Sequence, residues 1–238
     1  MMYFNIAKFM KNNILNSGLC LALGMAASFS LSSCEDWTEV ESLDIHTPSL
    51  EEQNPQLYED YLKDLNAFKA SDHHVLFVSF SNVANPVKQG ERLTALPDSV
   101  DYISLNNPSE IGAGLLEEMN EVRRKGTKIG YTFSYAQFEA EWDLMLEANP
   151  ELTETERQEY FTKRTEEMLS LVDKYNYDGV IVDYVGRSLV SLKDEPLRTY
   201  IARQKGFFDI ISTWKSRHTD KFLVFYGNAQ YIAPDNMG

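Results

Sequence analysis

Apolar positions along the chain follow two different spacings, and the spacings alternate. Five short runs are almost continuously apolar and rich in β-branched residues, which is typical of strands buried on both faces. These runs are 73–82, 99–108, 127–135, 177–186 and 221–230. The segments around them place apolar residues three and four positions apart, as amphipathic helices do. They predict helices over 48–70, 109–126, 136–150, 152–176 and 195–217.

Local signals support several of these helix boundaries. Thr153 and Glu156 stand three positions apart and form a predicted capping box at a helix start. Gly126 follows a basic run and is expected just beyond the end of the helix over 109–126. Residues 83–98 contain two prolines and a glycine, so they are expected to be mostly loop.

Alternating strands and helices predict an α/β fold with a parallel sheet covered by helices. A doubly wound sandwich and a (β/α)8 TIM barrel both have this order. A barrel needs eight strands and about 250 residues. The pattern provides five strands, so we expect a TIM barrel that is truncated after the fifth strand. A small open sheet is the alternative.

The first residues have the pattern of an export signal. Residues 1–33 carry Lys8 and Lys11, no acidic residue, and an apolar run shorter than the roughly 20 residues of a membrane span. The segment "LSSC" resembles a bacterial lipobox, which implies that Cys34 is lipidated. Glu35 and Asp36 resemble the export signal of Bacteroidetes-type surface lipoproteins. We therefore expect a signal peptide over 1–33, a tether over 34–50 and the barrel over 51–238, anchored at the cell surface in the outer membrane.

The charge and the cysteine and histidine content of the chain limit which ligands and partners it is expected to bind. The formal net charge of −14 disfavours nucleic acid, whereas neutral glycans remain compatible with it. Cys20 belongs to the predicted signal and Cys34 would carry lipid, so no thiol remains for a disulfide. The histidines lack the spacing of metal ligands, and no glycine-rich phosphate loop follows the first strand. We expect neither a metal nor a cofactor. The four histidines are His46, His73, His74 and His218.

The segment "YDGVIVDYVG" at 177–186 carries the most specific chemistry. Side chains alternate along a strand, so Ile181, Asp183 and Val185 share one face. The segment resembles the fourth barrel strand of family-18 glycoside hydrolases (chitinases and endo-β-N-acetylglucosaminidases), which carries D-x-x-D-x-D-x-E. Matched position by position, Asp178 is the first acid, Ile181 replaces the second, Asp183 is the third, and Val185 stands at the catalytic glutamate. The alternative interpretation is that this segment is simply a buried strand with a polar end.

The resemblance implies a substrate whose N-acetyl group attacks the anomeric carbon while the glutamic acid protonates the leaving oxygen. Valine has no proton to give, and general acid catalysis is typically worth about 10²–10⁴-fold. We therefore expect a protein that binds glycans containing N-acetylglucosamine without hydrolysing them. Asp183 would accept a hydrogen bond from the acetamide. The expected surrounding residues are Tyr184 and, as donors to Asp183, Tyr131, Ser134, Tyr226 and Asn228.

Polar and aromatic residues also follow the other strands, where ligands bind in a βα barrel. This wider set is Phe80, Ser81, Asn82, Asn106, Asn107, Phe133, Tyr135 and Gln230. Two other functions remain open. One is an active endo-β-N-acetylglucosaminidase or chitinase-like hydrolase, and the other is a structural surface lipoprotein without a glycan site. A binding protein would be expected to work with partner proteins of glycan uptake.

Overall fold

The computed structural model describes residues 48–236. The chain divides into one unit up to Gln53 and a second from Asn54 onward. The first unit contributes helix α1 (Leu50–Gln53). The second contains five further helices and five strands. Its helices are α2 (Pro55–Ala70), α3 (Ala113–Arg124), α4 (Tyr135–Ala148), α5 (Glu154–Tyr175) and α6 (Asp194–Arg217). Its strands are β1 (Phe77–Phe80), β2 (Tyr102–Leu105), β3 (Lys128–Ser134), β4 (Gly179–Tyr184) and β5 (Phe222–Gly227).

The strands form one parallel sheet in the order β1-β2-β3-β4-β5. In a doubly wound sheet the order reverses at a switch point, whereas in a barrel each strand lies beside its predecessor. The sheet does not close, so β1 and β5 are edge strands within the described part of the chain. The predicted α/β fold, with parallel strands in the order of a TIM barrel, is confirmed for the five strands described.

The core lies between the sheet and its helices. Alternate strand residues point towards the helices and are almost fully buried, among them Ile103, Leu105, Ile129, Val180 and Val182. An aromatic cluster continues this layer at the carboxyl ends of β3 and β4. It contains Tyr135, Phe138, Phe161, Tyr184 and Phe207.

Helix boundaries follow the expected local chemistry with two corrections. The Thr153 hydroxyl accepts from the backbone N–H of Glu156, whose carboxylate accepts from the N–H of Thr153, so the capping box is confirmed. The helix predicted over 48–70 is divided, because Asn54 caps α2 and Pro55 occupies its first turn. Helix α3 begins at Ala113 rather than at residue 109.

Gly179 follows Asp178 at the amino end of the sheet, where there is no room for a side chain. A Cβ atom on Gly179 would collide with the backbone of Phe222, and one on Gly130 would lie 2.5 Å from the Phe222 ring. The two glycines are register partners, so the ring of Phe222 covers both. Among residues 48–236, none of the helices has the length and apolar character needed to cross a membrane.

Candidate functional site

Strand β4 places its side chains on the two faces of the sheet as its sequence predicts. Val182 and Tyr184 are buried against the helices, while Ile181 and Asp183 point to the opposite, inner face. In register, Ser134 lies beside Asp183 on β3 and Tyr226 lies beside it on β5. The structure therefore brings Asp183, Ser134 and Tyr226 together at the carboxyl end of the sheet.

Asp183 is half-buried, and its oxygen Oδ1 is inaccessible to solvent without a hydrogen-bond donor among residues 48–236. The expectation that a flanking side chain donates to this oxygen is wrong. Buried carboxylate oxygens normally have at least one donor. Asp183 therefore presents an unmet acceptor on the inner face, next to the apolar side chain of Ile181.

Asp178, the first acid of the motif, has a structural role. Its Oδ2 accepts from the backbone N–H of Ile129 at 2.8 Å and from Nε of Arg123 at 2.9 Å. Arg123 also donates to the carbonyl of Asn176 at 2.5 Å. Asp178 thus ties β3, α3 and the start of β4 together. It lies five residues from Asp183, about 16 Å along an extended strand.

Tyr131 and Tyr184 were predicted to lie in the site beside Asp183, and this prediction is wrong because both side chains lie on the helix face. The hydroxyl of Tyr131 donates to the carbonyl of Met168. The hydroxyl of Tyr184 lies 2.9 Å from that of Tyr200 and accepts from Nε2 of Gln204 at 2.8 Å. Burial raises the pKa of both residues, so both hydroxyls stay neutral. Neither can contact a ligand on the inner face beside Asp183.

The rim above Asp183 is formed by the ends of β4 and β5. Val185 follows β4 and is 48% exposed, and Tyr226 is 67% exposed. Asn228 does not reach Asp183, because its Nδ2 donates to the carbonyl of Val185 at 2.9 Å. Asn228 therefore fixes the backbone at the position matched to the catalytic glutamate, while the Tyr226 ring is free to contact a ligand.

Polar side chains in the middle of β1, β2 and β3 also face inward, and they were not among the predicted site residues, which lie at the strand ends. The Ser79 hydroxyl donates to Oδ1 of Asn106 at 2.7 Å, and Nδ2 of Asn106 donates to Ser81 at 2.9 Å. The hydroxyls of Ser104 and Thr132 are 2.9 Å apart. Each lies two positions before a predicted strand-end residue on the same face, and that spacing was the available signal. The inner face is therefore hydroxyl-rich well below the rim.

Other strand-end residues are structural. Asn82 is buried and exchanges hydrogen bonds with Asn107, so this pair joins the ends of β1 and β2. Phe133 and Tyr135 belong to the core on the helix side. Phe80 packs against that core, and Gln230 donates only weakly to Asn228, at 3.4 Å.

One half-buried acid near the same end of the sheet was not predicted. Glu139 lies on α4, and its Oε1 is 3.5 Å from Nη2 of Arg157. Burial raises the pKa of Glu139, although Arg157 and Arg187 oppose that shift. Since Arg157 also contacts the hydroxyl of Tyr135 in the helix layer, Glu139 belongs to that layer and not to the inner face.

Two of the three histidines that the structure describes make local contacts, and the third, His74, is exposed. His73 contacts Ser71 and Asp101, and His218 contacts the carbonyl of Trp214. His46 and Cys34 lie outside the described residues. Between residues 48 and 236, no cluster of three or more His, Cys, Asp or Glu side chains has metal-site geometry.

Comparison with known proteins gives one family. The family model described as glycoside hydrolase family 18, BT1044-like, matches residues 38–237. No curated protein matches the chain. A solved selenomethionine variant of BT1044 superposes with a TM-score of 0.53 at 15% identity, covering 79% of this chain and 61% of that one.

An endo-beta-N-acetylglucosaminidase from Cordyceps militaris in its apo form has a TM-score of 0.45 at 19% identity, covering 71% of this chain and 54% of its own. This chain therefore spans less than two thirds of either solved protein. The BT1044 likeness establishes a shared fold. Because the family model matches most of the sequence, the chain belongs to glycoside hydrolase family 18, in its BT1044-like group.

Proposed function

We propose that this protein is a lipid-anchored surface protein that binds glycans containing N-acetylglucosamine without cleaving them. The glycan class comes from the resemblance of the β4 motif to family-18 enzymes. Ser79 and Thr132 support it, because both are exposed on the inner face and sugars carry hydroxyl groups that bond to such side chains. The exposed ring of Tyr226 adds a surface on which the C–H face of a sugar can stack.

The observation that carries the proposal is the unmet acceptor on Asp183. Its Oδ1 is buried and has no donor among the described residues. Oδ1 itself is closed to solvent, but Asp183 is only half-buried, so an acetamide N–H can reach the accessible part of its carboxylate. A ligand that supplied this donor would give the carboxylate a hydrogen bond that it lacks, and bonds to charged groups are worth about 1.5–3 kcal/mol.

The absence of hydrolysis rests on the neighbours of Asp183. Ile181 and Val185 share its face and carry no titratable proton. Glu139 is the nearby acid whose pKa is raised, yet it faces Arg157 in the helix layer. The inner face of β4 thus offers a carboxylate for binding and no second acid to protonate a leaving oxygen.

A product-release assay distinguishes the binding protein from the hydrolase. The full-length protein, incubated with chitooligosaccharides and with N-glycans, is expected to release no product. Val185→Glu alone should remain inactive, because Ile181 denies the new acid a carboxylate partner. Ile181→Asp combined with Val185→Glu is the variant expected to show turnover. Release by the unmodified protein that Asp183→Ala abolishes would establish the endoglycosidase instead.

The anchor and location are part of the proposal and rest on the "LSSC" segment, which lies outside the described residues. A diacylated or triacylated Cys34 would hold the protein at a membrane more firmly than a single acyl chain. We propose that it acts there with partner proteins of glycan uptake. The Cys34→Ala variant should appear in the soluble fraction when cells are fractionated. A variant that stays membrane-bound would refute the lipidation.

A further inference from the structure

A groove opens on the outer side of the helical layer, between the second halves of α5 and α6. At Gly206 on α6 the side-chain amide of Gln158 on α5 occupies the space that a Cβ atom would fill. Beyond that contact lies a cavity of about 450 Å³. This volume falls within the ~300–1,000 Å³ range of small-ligand pockets. It can hold a side chain and a short length of backbone.

The floor of the groove is apolar apart from one unsatisfied donor. Leu169, Ile210 and Trp214 line it. Trp214 is 8% exposed, and its indole N–H is buried without an acceptor among residues 48–236. Buried indole N–H groups usually have an acceptor. The floor of the groove therefore combines apolar contact surface with one hydrogen-bond donor that lacks an acceptor.

The walls of the groove are mainly acidic. Glu166, Asp173 and Asp209 line it, against the single arginine Arg217. Asp209 is bound to Lys205 at 2.5 Å, and Asp173 lies 3.5 Å from the ring of His218. Glu166 is exposed and forms no ion pair within residues 48–236. Two carboxylates are thus available to a cation, on a chain with a net charge of −14.

We propose that this groove binds an extended peptide segment of a partner protein in which lysine or arginine flanks a leucine-like side chain. The apolar side chain contacts Leu169 and Ile210. The indole N–H of Trp214 is closed to solvent in the unbound structure, so seating the segment moves the ring outward until a backbone carbonyl accepts from it. An extended segment has free carbonyls, whereas a helix interior does not. The basic side chain pairs with Glu166 or Asp173.

A glycan fits the groove less well. Sugars stack on exposed aromatic faces, whereas Trp214 is almost fully buried and one face of its ring stacks on His218 at 4.8 Å. An anionic ligand would meet three carboxylates. The groove lies on the helical side of the molecule and Asp183 lies on the inner face of the sheet, so this proposal does not depend on glycan binding.

The test follows the indole N–H of Trp214 by ¹⁵N–¹H NMR of the full chain, with its signal assigned through Trp214→Phe. If that variant fails to fold, Trp37→Phe and Trp142→Phe assign the signal by elimination. The probes are acetyl-Lys-Leu-Leu-Lys-amide, the matched acetyl-Glu-Leu-Leu-Glu-amide and the disaccharide of N-acetylglucosamine. The basic peptide should shift the Trp214 signal in a saturable way that weakens with salt. The acidic peptide and the disaccharide should leave it in place.

Glu166→Gln with Asp173→Asn should weaken the basic peptide about fivefold, since exposed ion pairs contribute modestly. The matched control, Glu117→Gln with Glu121→Gln, removes two exposed carboxylates from α3 and should leave affinity unchanged. An unshifted indole signal at millimolar basic peptide would overturn the proposal. So would equal shifts from both peptides, or a shift caused by the disaccharide.

Discussion

At the residue scale, the two acids retained in the β4 motif have opposite surroundings. Asp178 accepts two hydrogen bonds, from Ile129 and Arg123, and Oδ1 of Asp183 accepts none. Matching the sequence to the motif gives both residues the same status, as retained acids of a catalytic strand. Their local contacts instead assign Asp178 to stability and leave Asp183 available to a ligand.

This contrast predicts different effects on unfolding. Asp178→Ala should lower the free energy of unfolding by about 1–3 kcal/mol, because the N–H of Ile129 and the guanidinium of Arg123 lose their shared acceptor. Asp183→Ala should change it by less than ~1 kcal/mol, since no hydrogen bond to Oδ1 is lost. Urea denaturation of both variants measures the difference. A larger loss for Asp183→Ala than for Asp178→Ala would contradict these assignments.

The site residues show why sequence reasoning reached only part of this picture. Alternation along β4 assigned Ile181 and Asp183 to one face because it needs no knowledge of neighbours. Tyr184 was nevertheless expected around Asp183, although the same alternation places it on the opposite face. Tyr131 was misplaced because its choice as a donor considered only the neighbouring strand, and its own alternation with Thr132 was not applied. The actual partner of Asn228, the carbonyl of Val185, depends on backbone geometry that no residue pattern encodes.

At the element scale, α2 and the start of β2 are joined by a charged contact below the sheet. Nδ1 of His73 lies 2.8 Å from the Ser71 carbonyl, and Nε2 lies 2.9 Å from Oδ1 of Asp101. Both partners are acceptors, so the protonated ring satisfies them best. The Ser71 carbonyl, followed by the Asp101 carboxylate, raises the pKa of His73. Burial opposes the shift at Asp101, but the N–H of Leu76 and His73 hold the pKa of that carboxyl below its usual range.

The raised pKa gives a pH dependence of defined sign. The stabilisation from protonated His73 is fully present below the unfolded pKa of about 6.5 and is lost as pH rises through the higher folded pKa. Measured from about pH 5.5 to about pH 9, the melting temperature of the wild type relative to His73→Gln should therefore fall only as the pH rises above about 6.5. The matched control is His74→Gln, since His74 is exposed. An unchanged difference across this range, or an equal effect of His74→Gln, would refute the contact's role.

At the scale of the whole molecule, the sheet has two edges and an inner face that is only partly covered within residues 48–236. Phe77 on β1 is 41% exposed, and Phe225 and Tyr226 on β5 are 38% and 67% exposed. The parallel direction of the strands was predictable because helices connect most of the apolar runs, but their order was not, since a doubly wound sheet has the same alternation. The residues that would face this sheet across a barrel were beyond the reach of any pattern in the five strands.

Unpaired edges predict weakly cooperative unfolding of residues 35–238 alone. Parallel strands with free edges and exposed aromatic side chains favour association with other chains and loose packing. We expect poor solubility, binding of the dye ANS and a broad thermal transition by circular dichroism. A sharp, reversible transition of a monomer without ANS binding would instead indicate a complete small open sheet.

The central claim is that Asp183 recognises an N-acetyl group without supporting hydrolysis, and calorimetric titration of the full-length protein tests it most directly. Chitooligosaccharide titrated into the wild type should bind without product formation, and Asp183→Ala should bind about 5- to 150-fold more weakly, equivalent to ~1–3 kcal/mol. Asp220→Ala removes an exposed carboxylate at the opposite end of the sheet and should match the wild type. Equal affinity in the wild type and Asp183→Ala would contradict the account, as would heat from continuing turnover in the wild type.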